Sequence, residues 1–110
     1  MTHFFVDTDY AEVRRLINAG DIDRAWRKLI KAEPVPAVAY QILRCVRVWA
    51  RQAKDRGDWE GVLREYSKYT TYAARHRAEC IRKVNQAPPD LSQQDIRNIQ
   101  HAADKIGVRP

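Results

Sequence analysis

Two ten-residue stretches decide the fold, Gly20-Asp-Ile-Asp-Arg-Ala-Trp-Arg-Lys-Leu29 and Gly57-Asp-Trp-Glu-Gly-Val-Leu-Arg-Glu-Tyr66. In each, a glycine can end one helix in the left-handed conformation, and the aspartate after it can cap the next helix. The two glycines are 37 positions apart. The chain therefore repeats a helical hairpin.

The rest of the sequence has the same helical period. Apolar residues recur every three or four positions, and no alternating run rich in β-branched residues competes with that pattern. We predict one all-α domain over residues 1–110 with about five helices. It comprises a hairpin over 9–33, a hairpin over 36–85 and a C-terminal packing helix over 92–106.

Local signals place the helix ends. Asp9 with Glu12 fits a capping box at the first helix, Pro36 suits the first turn of the third, and Ser92 with Asp95 fits a cap of the last. The stretch from Asp58 to Asn85 is long for one helix of a small domain. It is either continuous or bent near Thr70 and Thr71.

The helical period also predicts which side chains face the core. They are Tyr10, Val13, Leu16, Ile17, Ile22, Ala25, Trp26, Leu29, Ile30, Val38, Ala39, Ile42, Val46, Trp49, Ala53, Trp59, Val62, Leu63, Tyr66, Tyr69, Ala73, Cys80, Ile81, Val84, Ile99, Ala103 and Ile106.

The repeated hairpin resembles the tetratricopeptide repeat, a helical-hairpin unit of about 34 residues. The likeness covers roughly residues 9–84 and includes small residues at Ala25 and Ala32 followed by Pro34 and Pro36. The second copy departs from the pattern, with Val62 and Tyr69 at positions where the family has small residues. The resemblance implies a scaffold that binds other proteins.

Composition excludes several classes of protein. With 45% hydrophobic and 31% charged residues the chain is neither disordered nor of low complexity. We find no targeting signal and no uncharged stretch approaching the ~20 apolar residues of a membrane span. Two cysteines are too few to staple a secreted domain, so we expect a cytoplasmic protein with no membrane partner.

The net charge of +6 is confined to the middle of the chain. Basic and acidic residues balance over 1–33 and again over 90–110, whereas residues 34–89 carry 11 basic and 5 acidic side chains. A local excess of positive charge is typical of proteins that bind nucleic acids or acidic proteins.

A cationic ridge is predicted on the third helix, with Tyr40, Arg44, Arg47, Arg51 and Lys54 within roughly an 80° arc. Stacked like charges repel each other, and no acidic residue lies between Glu33 and Asp55 to relieve them. Either the ridge faces an anionic partner, or carboxylates of another helix, such as Asp21 or Asp23, neutralise it.

The fourth helix carries a second basic row, Arg64, Lys68, Arg75 and Arg82, nearly opposite its apolar side. Tyr72 is predicted to be an exposed aromatic beside it, either part of a binding surface or boundary packing with a wet hydroxyl. Arg77 points toward the apolar sector, so it must pair with a carboxylate or with backbone carbonyls, reach the surface by its long stem, or mark a bend or an interface.

No motif for catalysis or metal binding occurs. The three histidines are scattered, no Cys or His pairs have zinc-ligand spacing, and there is no glycine-rich phosphate loop. Cys45 and Cys80 are predicted to be buried, inert thiols. We therefore expect neither an enzyme nor a bound cofactor.

The sequence supports two functional hypotheses. The first is a small interaction module, of adaptor or inhibitor type, that docks on a protein with an acidic surface. The second is a DNA- or RNA-binding protein that uses the same face; a homo-oligomer is compatible with both. Both draw on one set of binding residues: Tyr40, Arg44, Arg47, Arg51, Lys54, Lys68, Tyr72 and Arg75.

Overall fold

The computed structural model describes residues 3–107, and within them the fold is all-α, as predicted. Five helices follow one another along the chain: α1 (Asp7–Asn18), α2 (Ile22–Ile30), α3 (Pro36–Asp55), α4 (Trp59–Val84) and α5 (Gln93–Lys105).

The turns form as the two glycine-aspartate sequences require. Gly20 and Gly57 have φ of +83° and +74°, the left-handed region in which a side chain is strained. Asp58 caps α4 by accepting the Gly61 N–H at 2.9 Å, and Ser92 with Asp95 forms the predicted capping box of α5.

One detail of the helix ends differs from prediction. α1 begins at Asp7, before the predicted start, and Asp9 lies in its first turn, where its carboxylate accepts the Val6 N–H at 2.9 Å. α4 is one uninterrupted 26-residue helix that includes Thr70 and Thr71, so the prediction that it could run unbroken is confirmed. At 1.5 Å per residue α4 is about 39 Å long.

α3 is the centre of the packing. It contacts α1, α2 and α4, and α5 packs on α4 from the far end of the chain. Val38, Ile42 and Val46 of α3 have no exposed surface. Most of the stability of a helix in a folded protein comes from packing its apolar face against other helices rather than from intrinsic helix propensity. The contacts of these side chains therefore stabilise α3.

Three residues predicted to face the core are substantially exposed: Ile30 at 48%, Ile81 at 41% and Val84 at 47%. All three lie in the last turn of a helix. The apolar residue of α5 that is fully buried is Ala102, whereas the predicted Ala103 is only half-buried.

The segment before α1 is tied to the end of α2. The His3 N–H donates to the Lys31 carbonyl at 2.8 Å, and the Glu33 N–H donates to the His3 carbonyl at 2.6 Å. The linker to α5 is held by the Tyr69 hydroxyl, which donates to the Pro89 carbonyl. Across residues 3–107 no helix has both the length and the hydrophobicity of a membrane span.

Candidate interaction surfaces

Arg47, the central arginine of the predicted ridge, is engaged inside the molecule. It donates from Nε to Asp95 Oδ1 at 3.0 Å and from Nη2 to Asp95 Oδ2 at 2.7 Å. Asp95 lies in the first turn of α5, and its side chain is only 3% exposed. This bidentate ion pair joins α3 to α5 across 48 positions of sequence.

The Asp95 carboxylate accepts further hydrogen bonds. Tyr66 Oη donates to it at 2.9 Å, and Ser92 donates from both its backbone N–H and its hydroxyl at 2.9 Å. Burial alone would raise the pKa of Asp95, but these donors and Arg47 outweigh it and hold that pKa well below its ordinary value. The group is ionised and fully satisfied.

The prediction of an unneutralised ridge is therefore wrong at Arg47. The carboxylate that neutralises Arg47 belongs to Asp95, and not to Asp21 or Asp23 as considered above. Arg44 is also engaged, but by uncharged groups, donating to Gln41 Oε1 at 2.9 Å and to Asn18 Oδ1 at 3.2 Å. These uncharged acceptors do not neutralise the positive charge of Arg44.

Arg51 and Lys54 remain as the exposed cations of the ridge. Both side chains are exposed, and neither forms an ion pair with any residue between 3 and 107. They lie along a cleft of about 690 Å³ between α3, α4 and α5, named here the α5 cleft. Its lining is Arg47, Ala50, Arg51, Lys54, Asp55, Trp59, Val62, Tyr66, Ser92, Gln94, Asp95, Asn98 and His101.

The α5 cleft exists because of how the helices pack. α3 and α5 both pack on α4 without packing closely on each other, and the Arg47–Asp95 pair bridges the gap. An aromatic group lines the cleft beside the cations. The half-buried Trp59 ring packs edge-to-face with the His101 ring, with 5.1 Å between the two ring centres. Lys105 Nζ lies 5.8 Å from the centre of the Trp59 ring.

The other predicted ridge residues lie outside this cleft. Tyr40, 47% exposed, lines a separate hollow of about 320 Å³ beside α1 with Asp7, Tyr10 and Arg14. Arg44 contacts the end of α1 through Asn18. The ridge thus divides into a part along α1 and a part facing α5.

Lys68, Tyr72 and Arg75 do not join the ridge. Lys68 Nζ lies 4.5 Å from the ring centre of Trp49 and 2.7 Å from Glu65 Oε1. Trp49 follows Arg47 by two positions, which is about 200° around α3. The two groups of predicted binding residues therefore lie on different sides of α3 and do not form one face.

Of the two alternatives for Tyr72, the exposed aromatic is wrong and boundary packing is confirmed, since its half-buried ring packs against the core. The expectation of a wet hydroxyl is wrong, because that hydroxyl is buried without a hydrogen-bond partner among residues 3–107. Burial raises the pKa of Tyr72. Arg77 is exposed, as its long stem allows.

The remaining groups offer little chemistry. Cys45 and Cys80 are fully buried free thiols, and burial raises the pKa of Cys45 to about 12. Such thiols are protonated and poor nucleophiles near neutral pH. In the described part of the chain no three His, Cys, Asp or Glu side chains are grouped to hold a metal ion.

Sequence reasoning missed three contributors to the α5 cleft. Asp95 was assigned only to the helix cap, Trp59 only to the core, and His101 to no site. The period of α4 assigns Trp59 to the core, whereas in the structure it is half-buried and lines the cleft, and only the position of α5 brings His101 against it. No signal in the sequence pairs Asp95 with Arg47.

Comparisons with known proteins gave no relatives: no family model, curated protein or solved structure matches this chain. The resemblance to tetratricopeptide repeats stays a prediction.

Proposed function

We propose that this protein is a non-enzymatic docking module that binds an acidic segment of another protein in the α5 cleft. The observation that carries the proposal is the pair Arg51 and Lys54, which are exposed at the cleft and form no ion pair with a carboxylate of residues 3–107. Surface cations left unpaired in this way attract an anionic partner and speed its association.

The cleft suits a protein partner better than a nucleic acid. Of the cations that line it, Arg47 is already paired with Asp95, which leaves Arg51 and Lys54 for a partner, whereas nucleic-acid binders typically present an extended basic patch or stripe. The half-buried Trp59, with one edge against His101, offers apolar surface beside the cations. Aromatic and arginine side chains placed together are typical of protein interfaces.

The test is a binding titration with defined probes. A fluorescently labelled peptide rich in Asp and Glu, a duplex DNA and a single-stranded RNA are titrated with the protein and followed by fluorescence anisotropy. We expect the peptide to bind at low salt, and Arg51→Glu with Lys54→Glu to weaken it at least tenfold, since each contact turns from attraction to repulsion.

The matched control is Arg14→Glu with Arg15→Glu on α1, which changes the net charge by the same amount. Equal losses in both double variants would show that total charge, not the cleft, governs binding. No peptide binding at low salt overturns the proposal. Oligonucleotide binding that is lost in Arg51→Glu with Lys54→Glu, with affinity falling steeply as salt rises, would instead identify a nucleic-acid binder.

A further inference from the structure

A second groove lies on the other side of α3, between α2 and α4, and is named here the α2 groove. α2 and α4 both pack on α3 without packing closely on each other, which leaves a hollow of about 530 Å³. Its lining is Trp26, Ile30, Arg64, Ser67, Lys68, Thr71, Tyr72, Arg75 and His76.

The α2 side of this groove is apolar. Ile30 is 48% exposed, although the period of α2 assigns it to the core. Next to it, one turn back, the half-buried Trp26 packs against Trp49 with ring centres 5.2 Å apart. An exposed isoleucine beside a tryptophan face gives a partner's apolar side chain a surface to cover.

The α4 side of the groove is cationic. Arg75 is exposed and forms no ion pair with any described residue, and Arg64 has only a 3.8 Å contact with Asp58, itself 39% exposed. Lys68 is different, because Glu65 lies 2.7 Å from its Nζ and the Trp49 ring 4.5 Å away. No carboxylate of residues 3–107 lines the groove.

We propose that the α2 groove binds an acidic amphipathic segment of a partner protein. One apolar side chain of the segment covers Ile30 and Trp26, and its carboxylates pair with Arg64 and Arg75. A groove that combines apolar surface on one side with cations on the other, and that no carboxylate of the described residues lines, is complementary to such a segment and not to a purely charged one.

This site is separate from the α5 cleft. The α2 groove faces the Trp49 side of α3 and the α5 cleft faces the Arg47 side, about 200° around the helix. The protein therefore has two docking surfaces and can hold two partners, or two segments of one partner, at the same time. This is the geometry of an adaptor.

The experiment uses an 18-residue peptide with leucines at helical spacing and glutamates elsewhere, and a second peptide with each leucine replaced by serine. We expect Arg75→Glu and Ile30→Ser each to weaken binding of the leucine peptide about tenfold, and the serine peptide to bind the wild-type protein at least tenfold more weakly. Intrinsic tryptophan fluorescence should change on binding, because Trp26 lines the groove.

The matched controls are Arg77→Glu, two positions along the same helix, and Ile81→Ser, an isoleucine of similar exposure. Both should bind the leucine peptide like the wild-type protein, and circular dichroism melts verify that every variant is folded. Equal losses in test and control variants overturn the proposal. So does equal binding of the two peptides, or stronger binding of anionic vesicles or of single-stranded RNA at this groove.

Variants of the other cleft keep the two proposals distinguishable. Arg51→Glu with Lys54→Glu should leave binding at the α2 groove unchanged. If that double variant abolishes binding of the leucine peptide while Arg75→Glu does not, the peptide occupies the α5 cleft, and the α2 groove proposal fails while the proposed function stands.

Discussion

At the scale of single residues, the same side-chain type has opposite roles along one helix of this protein. Arg47 and Arg51 are one turn apart on α3, yet Arg47 is bound by a buried carboxylate and Arg51 is exposed without an ion pair among residues 3–107. Removing one member of a buried pair is costly because the other charge is left without its counterpart. The two arginines should therefore respond very differently to mutation.

We predict that Arg47→Met lowers the free energy of unfolding by about 2–3 kcal/mol, toward the low side for a buried pair because Arg47 itself is 36% exposed. Arg51→Met, the control, should change it by no more than about 0.5 kcal/mol. Urea denaturation followed by circular dichroism measures both. Similar values for the two variants would mean that the Arg47–Asp95 pair does not stabilise the fold.

At the scale of helices, the ends of α4 and α5 were predictable because their signals are local. A glycine with positive φ, an aspartate cap and a Ser-Asp capping box each act within four residues of sequence. The continuity of α4 was not decidable in this way, since α3 and α5, which pack along it, lie elsewhere in the chain.

The α4 cap gives a sharp test, because a Cβ on Gly61 would overlap the Asp58 carboxylate that caps the helix. Asp58→Ala should cost about 1 kcal/mol of stability in the wild-type protein and almost nothing in a Gly61→Ala background, where the cap is already displaced. Gly61→Ala alone should be close to neutral, since helix propensity of about 0.5–1 kcal/mol offsets the lost cap. Additive losses in thermal or urea unfolding would contradict this coupling.

The candidate sites were less predictable than the helices for the same reason. The ridge is a correct description of α3 alone, but Asp95 is 48 positions away and only the docking of α5 brings it to Arg47. The basic row of α4 lies opposite its apolar side, as the period indicates. α2 runs beside this row and forms a groove with it because of the way α2 packs on α3. The periodicity of a single helix gives no information about that packing.

At the scale of the whole molecule, Asp95 links three helices, since its carboxylate binds Arg47 of α3 and Tyr66 of α4 from its place on α5. Its pKa lies below the ordinary value of 3.8 in the folded protein. The unfolded chain therefore takes up this proton first as the pH falls. The stabilisation is present above about pH 4 and is lost as the pH falls toward the folded-state pKa.

We predict that Asp95→Asn is less stable than the wild-type protein at pH 7 and loses less stability than the wild type between about pH 5 and pH 2. The control is Asp104→Asn, which removes an exposed carboxylate of the same helix that has no ion pair within residues 3–107. Urea midpoints measured across this pH range give the comparison. Parallel curves for wild type and Asp95→Asn would show that this carboxylate does not carry the acid sensitivity.

Both cysteines of the chain are completely buried, so the folded surface offers no thiol to a maleimide dye. A single cysteine introduced at the mouth of either the α5 cleft or the α2 groove would be the one reactive position of the native protein. Each groove can then carry its own fluorophore without first removing Cys45 or Cys80 from the core. Energy transfer between a labelled partner and the labelled cysteine then tests whether the two surfaces are occupied at the same time.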